Sequence, residues 1–552
     1  MRVKVFIVFT IFIWVMILLR LFSVQIVKGE SYSETAKRQH KKGAYINTDR
    51  GCIYDRNGRL LAFSVPAKSC FALPHKISNP PRTANILSAI GLKEKEKILS
   101  LLTSKGKFVW IERYIEDSMV DRLNQYGLSG IFIAEDKRRY YPVAGAGNLI
   151  GFCGEDSKGL EGIEYEFDSI LNGKAGFAIF NLDANGHTLP EYFEKDPVMG
   201  CDLILTIDSD IQRIVTEELE LGMKRYNASA GNCIVLDPKT GEILAIANFP
   251  YHNPNHKGNG HAAKWRNRAV ADIFEPGSTF KIVTAAAAIQ ENIIHPDDSV
   301  DVENGSLIIC GHEIKDVKEY KKLTFSEIIE KSSNIGVVKI AKRVGKEKLY
   351  LYARSFGFGC ELGIDLPGER EGIITTPEKW SEIHFANIAL GQGVAVTGLQ
   401  LAFAYQAIAN DGVLTRPLIV RKIVGKNGKI KKEFFPQTIR RVVSSKTAEI
   451  LRGILHQVLE CGTGRRARLS IPVSGKTGTA QKSTEQGYSK DKFFASFVGF
   501  FPTDDPKFLI SIVVDEPKGK YQGGEVAAPI FRNIGERILN LSDYWYLNIC
   551  QK

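Results

Sequence analysis

Residues Glu275–Gln290 read EPGSTFKIVTAAAAIQ. The Pro-Gly pair interrupts regular structure, and the residues after it are apolar on nearly every side, which predicts a buried helix that opens at Ser278. Lys281 lies inside this apolar run, where a charged side chain is costly to bury. A lysine can often extend its amine to water from such a position, but here the helix offers almost no polar face.

Ser278 and Lys281 are three residues apart, so a helix brings the hydroxyl and the amine to the same face. Burial lowers the pKa of a lysine, and a neutral amine can accept the proton of a serine hydroxyl. The helix N-terminus adds partial positive charge beside Ser278, which favours a developing alkoxide. The pair therefore indicates a nucleophile with its base, although a serine that only caps the helix has the same spacing.

The N-terminal segment is strongly apolar. Val5–Leu19 carries no charge and apolar character resumes after Arg20, which together approaches the roughly 20 residues needed to span a bilayer. An uncleaved membrane anchor is predicted; the alternative is a cleaved signal peptide, but no small-residue cleavage site follows the segment. Arg2 and Lys4 precede the span and predict a cytoplasmic N-terminus with the remainder exported.

Composition limits the classes of function. The 552 residues suffice for two or three domains, and a net charge of +11 favours anionic lipid or wall polymers over nucleic acid, unless the surface is simply solvated. Nine cysteines without C-x-x-C spacing predict neither a zinc site nor a dense disulfide framework. His252, His256 and His261 lack a neighbouring carboxylate, and like residues 310–313 they predict no metal site. No cofactor is expected.

The region before residue 200 has no recognisable catalytic set. RGCIYDRNGRLLAFS (50–64) predicts a hairpin with its turn at Arg56-Asn57-Gly58, and GLEGIEYEFDSILNGKAG (159–176) predicts a helix ended by Asn172-Gly173. The following charged residues of this region either pair between segments or stay exposed: Arg50, Asp55, Arg56, Glu161 and Glu164.

From Cys201 the pattern changes. DLILTID (202–208) predicts a strand, after which Ser209 can cap a helix through Leu221. Five further apolar runs predict strands: a hairpin in NCIVLDPKTGEILAIAN (232–248), then IPVSGKTGTAQ (471–481), ASFVGFF (495–501) and KFLISIVVDEP (507–517). An amphipathic helix over Ala528–Leu541 follows them. Five strands around a large helical insertion predict a mixed α and β domain with an antiparallel sheet.

Two further motifs accompany Ser278-x-x-Lys281. Thr324 and Glu327 have the spacing of a capping box and predict a short helix, and Ser332-Ser333-Asn334 follows that helix. The alternative to a catalytic role for this motif is a simple helix cap at Ser333 or Asn334. Lys476-Thr477-Gly478-Thr479 lies on a predicted strand, where an ordinary surface strand with a glycine bulge is the alternative.

Together, S-x-x-K, S-x-N and K-T-G in this order resemble the motifs of the penicilloyl-serine transferases. RNRAVADIFEPGSTFK (266–281), LGQGVAVTGLQLAFAYQAIANDGVLTRP (390–417) and RRYYPVAGAGNLIG (138–151) extend the resemblance to class B, monofunctional penicillin-binding proteins, most similar to the division-specific FtsI type. The resemblance implies an α+β protein with an N-terminal transmembrane helix, an elongated accessory domain of pedestal or dimerisation type, and a transpeptidase domain whose five-stranded antiparallel sheet is flanked by helices.

The expected domains are the cytoplasmic N-terminus and anchor helix at 1–29, the accessory domain at 30–199 and the transpeptidase domain at 200–552. A glycosyltransferase domain does not fit into the roughly 170 residues before Cys201. Strand polymerisation must therefore come from a partner, which the resemblance implies is a lipid II polymerase of the FtsW type with other division proteins.

By the same resemblance Ser278 attacks the substrate, Lys281 is the acylation base and Ser332 relays the proton to the leaving group. Asn334 holds the substrate amide and helps to orient Lys281, and Lys476 supplies positive charge.

The substrate carboxylate is expected to bind the hydroxyls of Thr477 and Thr479. Gly478 leaves room for the acyl chain beside the strand. The backbone N–H groups of Ser278 and Thr479 form the expected oxyanion hole.

The implied function is a peptidoglycan D,D-transpeptidase of septal wall synthesis. It takes D-Ala-D-Ala stem peptides as donors and stem-peptide amines as acceptors, and β-lactams acylate it. It is expected in the cytoplasmic membrane as a single-pass protein with an extracytoplasmic catalytic domain and no nucleic-acid partner. An elongation-specific transpeptidase, a carboxypeptidase, a membrane-anchored β-lactamase, a β-lactam sensor and a catalytically idle morphogenetic scaffold are the alternatives.

Overall fold

The structure, a computed structural model, describes residues 2–32, 41–46, 48–181, 192–256, 264–484 and 487–541. The α-helices of these residues, in chain order, are α1 Arg2–Phe22, α2 Pro80–Ala89, α3 Lys95–Leu102, α4 Asp117–Tyr126, α5 Gly147–Ile150, α6 Gly162–Glu166, α7 Asp168–Leu171, α8 Ser209–Arg225, α9 Arg268–Ala271, α10 Lys281–Gln290, α11 Phe325–Glu330, α12 Asn334–Val344, α13 Lys346–Ser355, α14 Glu382–Ala389, α15 Gly398–Ala409, α16 Ser445–Glu460 and α17 Gly523–Leu539.

The strands, numbered in the same way, are β1 Lys41–Ile46, β2 Ile53–Tyr54, β3 Leu60–Ala72, β4 Val109–Ile115, β5 Ile131–Tyr140, β6 Gly176–Asn181, β7 Tyr192–Lys195, β8 Asp202–Leu205, β9 Ala230–Leu236, β10 Ile243–Phe249, β11 Ile273–Phe274, β12 Ser299–Asp301, β13 Ser306–Ile309, β14 His312–Lys315, β15 Lys322–Thr324, β16 Val396–Thr397, β17 Val413–Thr415, β18 Val420–Val424, β19 Ile430–Glu433, β20 Thr438–Arg441, β21 Ser474–Thr484, β22 Gly487–Phe501 and β23 Phe508–Asp515.

One compact unit comprises Met1–Gly51 and Asn172–Cys201. Its first helix runs over Arg2–Val27, with a mean hydropathy of 2.7 in its apolar window and no buried residue. This helix is long and apolar enough to cross a bilayer, as predicted for the anchor. The unit also contains an antiparallel sheet in which β1 and β7 pair with opposite edges of β6.

The second unit comprises Cys52–Leu171 and Asp202–Lys552. One of its sheets has the strand order β19-β18-β8-β2-β3-β4, with β5 pairing along β3. The predicted hairpin between β2 and β3 is confirmed: Gly58 has a φ of +82°, and the Asp55 carboxylate accepts the backbone N–H groups of Asn57 and Arg59 at 2.8 Å. Because strands from both sides of residue 200 share this sheet, the domain boundary at 199/200 stays a prediction.

A buried ion pair joins β5 to α6. Arg139 Nε donates to Glu164 Oε1 at 2.7 Å, and the two side chains are 7% and 0% exposed. Cys153 Sγ donates to the other carboxylate oxygen at 3.3 Å. Glu164, one of the charged residues singled out in the sequence, is therefore paired rather than exposed.

Replacing Glu164 with alanine is expected to lower the free energy of unfolding by about 3–5 kcal/mol, because it leaves the Arg139 guanidinium buried without its counter-charge. Urea denaturation of parent and variant measures this. Glu166, exposed on the same helix, is the matched control, and Glu166→Ala should change the free energy by less than about 0.5 kcal/mol. A loss below about 1 kcal/mol for Glu164→Ala would contradict the expectation.

The predicted five-stranded antiparallel sheet is confirmed, in the order β10-β9-β23-β22-β21. β9 is buried at every position and β23 at all but its last, because helices cover both faces of these strands. Helices α8, α15 and α17 pack on this sheet. The predicted strand in 202–208 forms β8, which belongs to the other sheet.

The helical insertion between β10 and β21 holds two helices that are almost wholly buried. Every residue of α15 is buried, as are Lys281–Ile289 of α10, in agreement with their lack of a polar face. The prediction that Ser209 caps α8 was wrong. The Asp208 carboxylate accepts the first N–H groups of the helix. The Ser209 hydroxyl instead bonds the Asp55 carboxylate.

Candidate active site

Ser278 lies in a 3₁₀ turn, Gly277–Phe280, that leads directly into α10. The preceding Gly277 has a φ of +54°, and its N–H donates to the carbonyl of Gly391 at 3.0 Å. A Cβ on Gly277 would lie 2.5 Å from the carbonyl oxygen of Thr479 on β21. The turn is therefore held between β21 and the loop that follows α14, with the Ser278 side chain half-buried.

Lys281 is fully buried one turn after Ser278. Its Nζ donates to the carbonyl oxygen of Ser332 and to Asn334 Oδ1, both at 2.7 Å, and lies 3.3 Å from Ser332 Oγ. Burial lowers the pKa of Lys281 to about 7, against the opposing charge of Asp316. A substantial part of the Lys281 population is therefore neutral at neutral pH.

The Lys281 amine has three oxygens within hydrogen-bond distance, and both its neutral and its charged form can bond them. A neutral amine has two N–H donors and one lone pair, whereas an ammonium has three donors. The two short contacts are to oxygens that can only accept, so they use both N–H bonds. The Ser332 hydroxyl oxygen, 3.3 Å away, takes the third N–H bond of the ammonium form, so the same contacts also serve the charged Lys281 that proton transfer from Ser278 produces.

The Ser332–Asn334 segment enters α12 through a strained residue. Ser332 has a φ of +60°, an uncommon conformation for a residue with a side chain. Ser333 caps α12 by accepting the N–H of Gly336 at 3.0 Å, as one of the alternative interpretations predicted. The predicted capping box of Thr324 and Glu327 is also present at α11.

Asp316, just after β14, holds this segment and was missed in the sequence. Its carboxylate accepts the Ser333 hydroxyl at 2.5 Å and the N–H groups of Asn334 and Ile335 at 2.5 and 3.1 Å. Asn334 Nδ2 also donates to the carbonyl of Lys315 at 2.8 Å. The position of Asp316 at a strand end was the available signal, but nothing in the sequence shows which helix N-terminus it meets.

Lys476 on β21 is 1% exposed, and its Nζ donates to the carbonyl of Thr477 at 3.3 Å. Burial, together with the positive charge of nearby Lys281, lowers the pKa of Lys476 well below its usual range. A bound anion would stabilise the protonated form of Lys476 and so restore its charge.

Three backbone segments meet around Gly478 with no space for side chains. A Cβ on Gly478 would lie 2.8 Å from the carbonyl oxygen of Pro276, and one on Gly523 would lie 2.2 Å from the carbonyl oxygen of Gly478. The missing side chain at 478 is thus required by the nucleophile turn and by the Ser496 hydroxyl, 2.3 Å from such a Cβ, and the missing side chain at 523 is required by β21. The N–H of Gly523 also donates to Thr479 Oγ1 at 3.0 Å.

The structure thus brings the three motifs together: Lys281 bonds Ser332 and Asn334, its charge acts on Lys476, and the turn that carries Ser278 packs against β21, which also holds Thr477 and Thr479. His252 lies elsewhere, against the rings of Phe152 and Trp265 at 5.7 and 5.8 Å. His261 lies outside the described residues.

Known families match the chain over most of its length. Residues 231–536 match the penicillin-binding protein transpeptidase domain, and residues 45–205 match the penicillin-binding protein dimerisation domain. The chain is 35% identical over 545 residues to stage V sporulation protein D of Bacillus subtilis, covering 97% of this chain and 84% of that protein. It is 33% identical over 519 residues to peptidoglycan D,D-transpeptidase FtsI of Escherichia coli, covering 92% and 86%.

A solved structure agrees with these matches. Penicillin-binding protein 3 from Mycobacterium tuberculosis, complexed with ampicillin, has a TM-score of 0.72 and 30% identity, covering 91% of this chain and 97% of that one. The chain belongs to the class B penicillin-binding proteins, in which a transpeptidase domain follows a dimerisation domain.

Proposed function

We propose that this protein is a peptidoglycan D,D-transpeptidase that forms an acyl-enzyme on Ser278 and is acylated there by β-lactams. The observation that carries the proposal is the buried Lys281 amine, held by Ser332 and Asn334 with its pKa lowered to about 7. Burying an amine lowers the stability of the fold. A protein that transfers protons through this amine gains a function from it, whereas a scaffold protein does not.

In the first step Ser278 Oγ attacks the carbonyl carbon between the two D-Ala residues of the donor. Lys281 Nζ accepts the hydroxyl proton as the C–O bond forms. The negative charge on the carbonyl oxygen is stabilised by the N–H groups of Ser278 and Thr479, whose backbones the close approach of Gly277 to β21 brings together.

In the second half of acylation the C–N bond breaks and the terminal D-Ala leaves as an amine. That amine needs a proton, and the Ser332 hydroxyl can supply it while taking one from Lys281, which lies 3.3 Å away. Asn334 keeps Lys281 in place through its 2.7 Å contact and uses its own amide N–H on Lys315. Lys281 is then neutral again.

The acyl group is released when an acceptor amine of a neighbouring stem peptide attacks the ester. The attacking nitrogen loses one proton to Lys281, the new amide bond forms as the ester C–O bond to Ser278 breaks, and Lys281 passes that proton to the Ser278 oxygen. A β-lactam that acylates Ser278 leaves no amine free to depart, so its ester is expected to persist.

The carboxylate of the donor terminus is placed by β21. Lys476 provides a positive charge behind the strand, and the hydroxyls of Thr477 and Thr479 can donate to the carboxylate oxygens. Because the pKa of Lys476 is lowered by burial, the bound carboxylate itself favours the charged form of the lysine.

The anchor and the partners are part of the same proposal. The helix Arg2–Val27 would hold the protein in the cytoplasmic membrane, with Arg2 and Lys4 retaining the N-terminus inside and the catalytic domain exported. Residues 1–29, 30–199 and 200–552 would serve as anchor, accessory and transpeptidase domains. A lipid II polymerase of the FtsW type would supply glycan strands during septal synthesis.

Transfer is tested by incubating the purified protein with a peptide donor ending in D-Ala-D-Ala and a labelled D-amino acid as acceptor. Mass spectrometry should find the label at the donor terminus with the parent and not with Ser278→Ala. Hydrolysed donor without label would indicate a carboxypeptidase. Rapid turnover of a penicillin adduct would instead indicate a β-lactamase.

Removing the Asp316 carboxylate is expected to slow acylation by a penicillin roughly 10- to 100-fold, because Ser333 and Asn334 lose the acceptor that holds their segment against Lys281. Asp316→Ala tests this, and Asp316→Asn should recover part of the rate, since its amide oxygen still accepts N–H bonds. Asp297→Ala, an exposed carboxylate in the same insertion, is the control. A parent-like rate in Asp316→Ala would contradict this role.

A further inference from the structure

The Thr463 hydroxyl contacts Thr477, one of the two residues proposed to bind the substrate carboxylate. Thr463 lies in the short segment between α16 and β21, and its Oγ1 is 2.8 Å from Thr477 Oγ1. Thr477 is 7% exposed, whereas Thr463 is exposed to solvent. No motif in the sequence singles out this residue, because it stands 14 positions before its partner.

The backbone around Thr463 fixes where its hydroxyl lies. The N–H of Gly464 donates to the carbonyl of Val458 at 2.9 Å at the end of α16. A Cβ on Gly462 would lie 2.4 Å from the carbonyl oxygen of Glu330, and one on Gly524 would lie 2.5 Å from the carbonyl oxygen of Thr463. The segment is therefore enclosed by backbone on two sides, and Thr463 has little freedom to move away from Thr477.

The number of hydroxyl protons decides which of the two threonines must donate if Thr477 is to bind a carboxylate. Each threonine hydroxyl has one proton to donate, and a carboxylate can only accept. If Thr477 donated to Thr463, it would have no proton left for the substrate. If Thr463 donates to Thr477, the Thr477 hydroxyl keeps its own proton, which is then free to bond the substrate carboxylate.

Thr479 shows the same arrangement by another route. Its Oγ1 accepts the N–H of Gly523 at 3.0 Å, so the proton of its hydroxyl is also free. Thr477 and Thr479 would then each accept one hydrogen bond, from Thr463 and from the backbone of Gly523 respectively, and each would keep its own proton for the substrate. Such paired donors suit the two oxygens of a carboxylate.

We propose that Thr463 is a positioning residue of the carboxylate site: its hydroxyl donates to Thr477 and thereby directs the Thr477 proton to the terminal carboxylate of the acyl donor. The inference rests on the proposed function. It predicts that Thr463 affects the binding of carboxylate-bearing donors and penicillins and leaves the chemical step at Ser278 unchanged.

The test separates the dissociation constant of a penicillin from the acylation rate constant, by following adduct formation at increasing penicillin concentrations. Thr463→Val keeps the shape of the side chain and removes the hydroxyl. It should raise the dissociation constant roughly tenfold while the rate constant stays within about twofold. Thr463→Ser should stay within about threefold of the parent in both, and Thr438→Val, an exposed threonine on β20, should match the parent.

Two further measurements separate this role from a general loss of packing. A neutral methyl ester of the same penicillin has no carboxylate, so its weaker binding should be the same in Thr463→Val and in the parent. The Thr463→Val change should also add nothing once Thr477 is valine, because the two hydroxyls act as one unit.

The outcomes are distinct. An unchanged dissociation constant in Thr463→Val, or a loss in Thr463→Ser as large as in Thr463→Val, would overturn the inference about Thr463 while leaving the transpeptidase proposal in place. A parent protein that forms no adduct, or an adduct that persists in Ser278→Ala, would overturn the proposed function and the role of Thr463 with it.

Discussion

Replacing Ser278 with alanine is expected to abolish the covalent adduct that a penicillin forms with the parent protein. The parent should gain the mass of one penicillin and keep it for hours, because the ring-opened penicillin keeps its amine attached and no leaving group departs from the ester. Without Oγ there is no atom to acylate, and loss of a catalytic serine of this kind costs roughly a million-fold in rate. Intact-mass spectrometry of both proteins measures this directly.

The Ser278→Ala variant should remain folded, since the change removes one half-buried hydroxyl from the turn. Its melting temperature should stay within a few degrees of the parent. Ser470→Ala, which removes an exposed hydroxyl that contacts Glu536, is the matched control and should be acylated like the parent. An adduct of full mass on Ser278→Ala would show that another residue is the nucleophile.

Lys281 is expected to set the pH dependence of acylation. Its neutral form accepts the proton of Ser278, and its pKa is lowered to about 7, so the neutral fraction falls as the pH falls below that value. The acylation rate constant should therefore drop about tenfold per pH unit below about pH 7 and reach a plateau above it. Stopped-flow acylation between pH 5 and pH 9 measures the profile.

Lys281→Met should remove this profile together with most of the activity. The apolar side chain fills the buried site without a lone pair, so the acylation rate constant should fall by roughly 10²- to 10⁴-fold and lose its dependence on pH near 7. Lys281→Arg is the informative control, because it keeps a donor but stays charged and cannot act as a base. A variant without the Lys281 amine that still lost activity below pH 7 would assign the titration to another group, with Lys476 the first to examine.

Much of the fold followed from local patterns. The hairpin β9–β10, the three strands β21–β23 and the capping box at Thr324 were all readable, because alternating or continuous apolar runs and turn residues act over a few positions. The cap of α8 was not, since both Asp208 and Ser209 suit that role by residue type. The Asp55 carboxylate decides between them by bonding Ser209, and it lies in a distant segment of the chain.

The same limit applies to the site. Ser278, Lys281 and the motifs around Ser332 and Lys476 could be named from the sequence because each is a short, fixed spacing. Asp316 and Thr463 could not, because their roles come from single hydrogen bonds between segments that no spacing connects. The restraint on Gly478 was likewise visible only once Pro276 and Ser496 were in place.

The contact of three bare backbones at Gly277, Gly478 and Gly523 bears on how antibiotic resistance could evolve in this protein. Any larger residue at these positions would meet main-chain oxygens 2.2–2.8 Å away, which belong to the nucleophile turn or to β21. Substitutions at these three glycines are therefore not expected among variants selected for weaker drug binding. Resistant variants should instead carry substitutions in side chains that support the catalytic residues without contacting the substrate, because such changes lower activity in small steps.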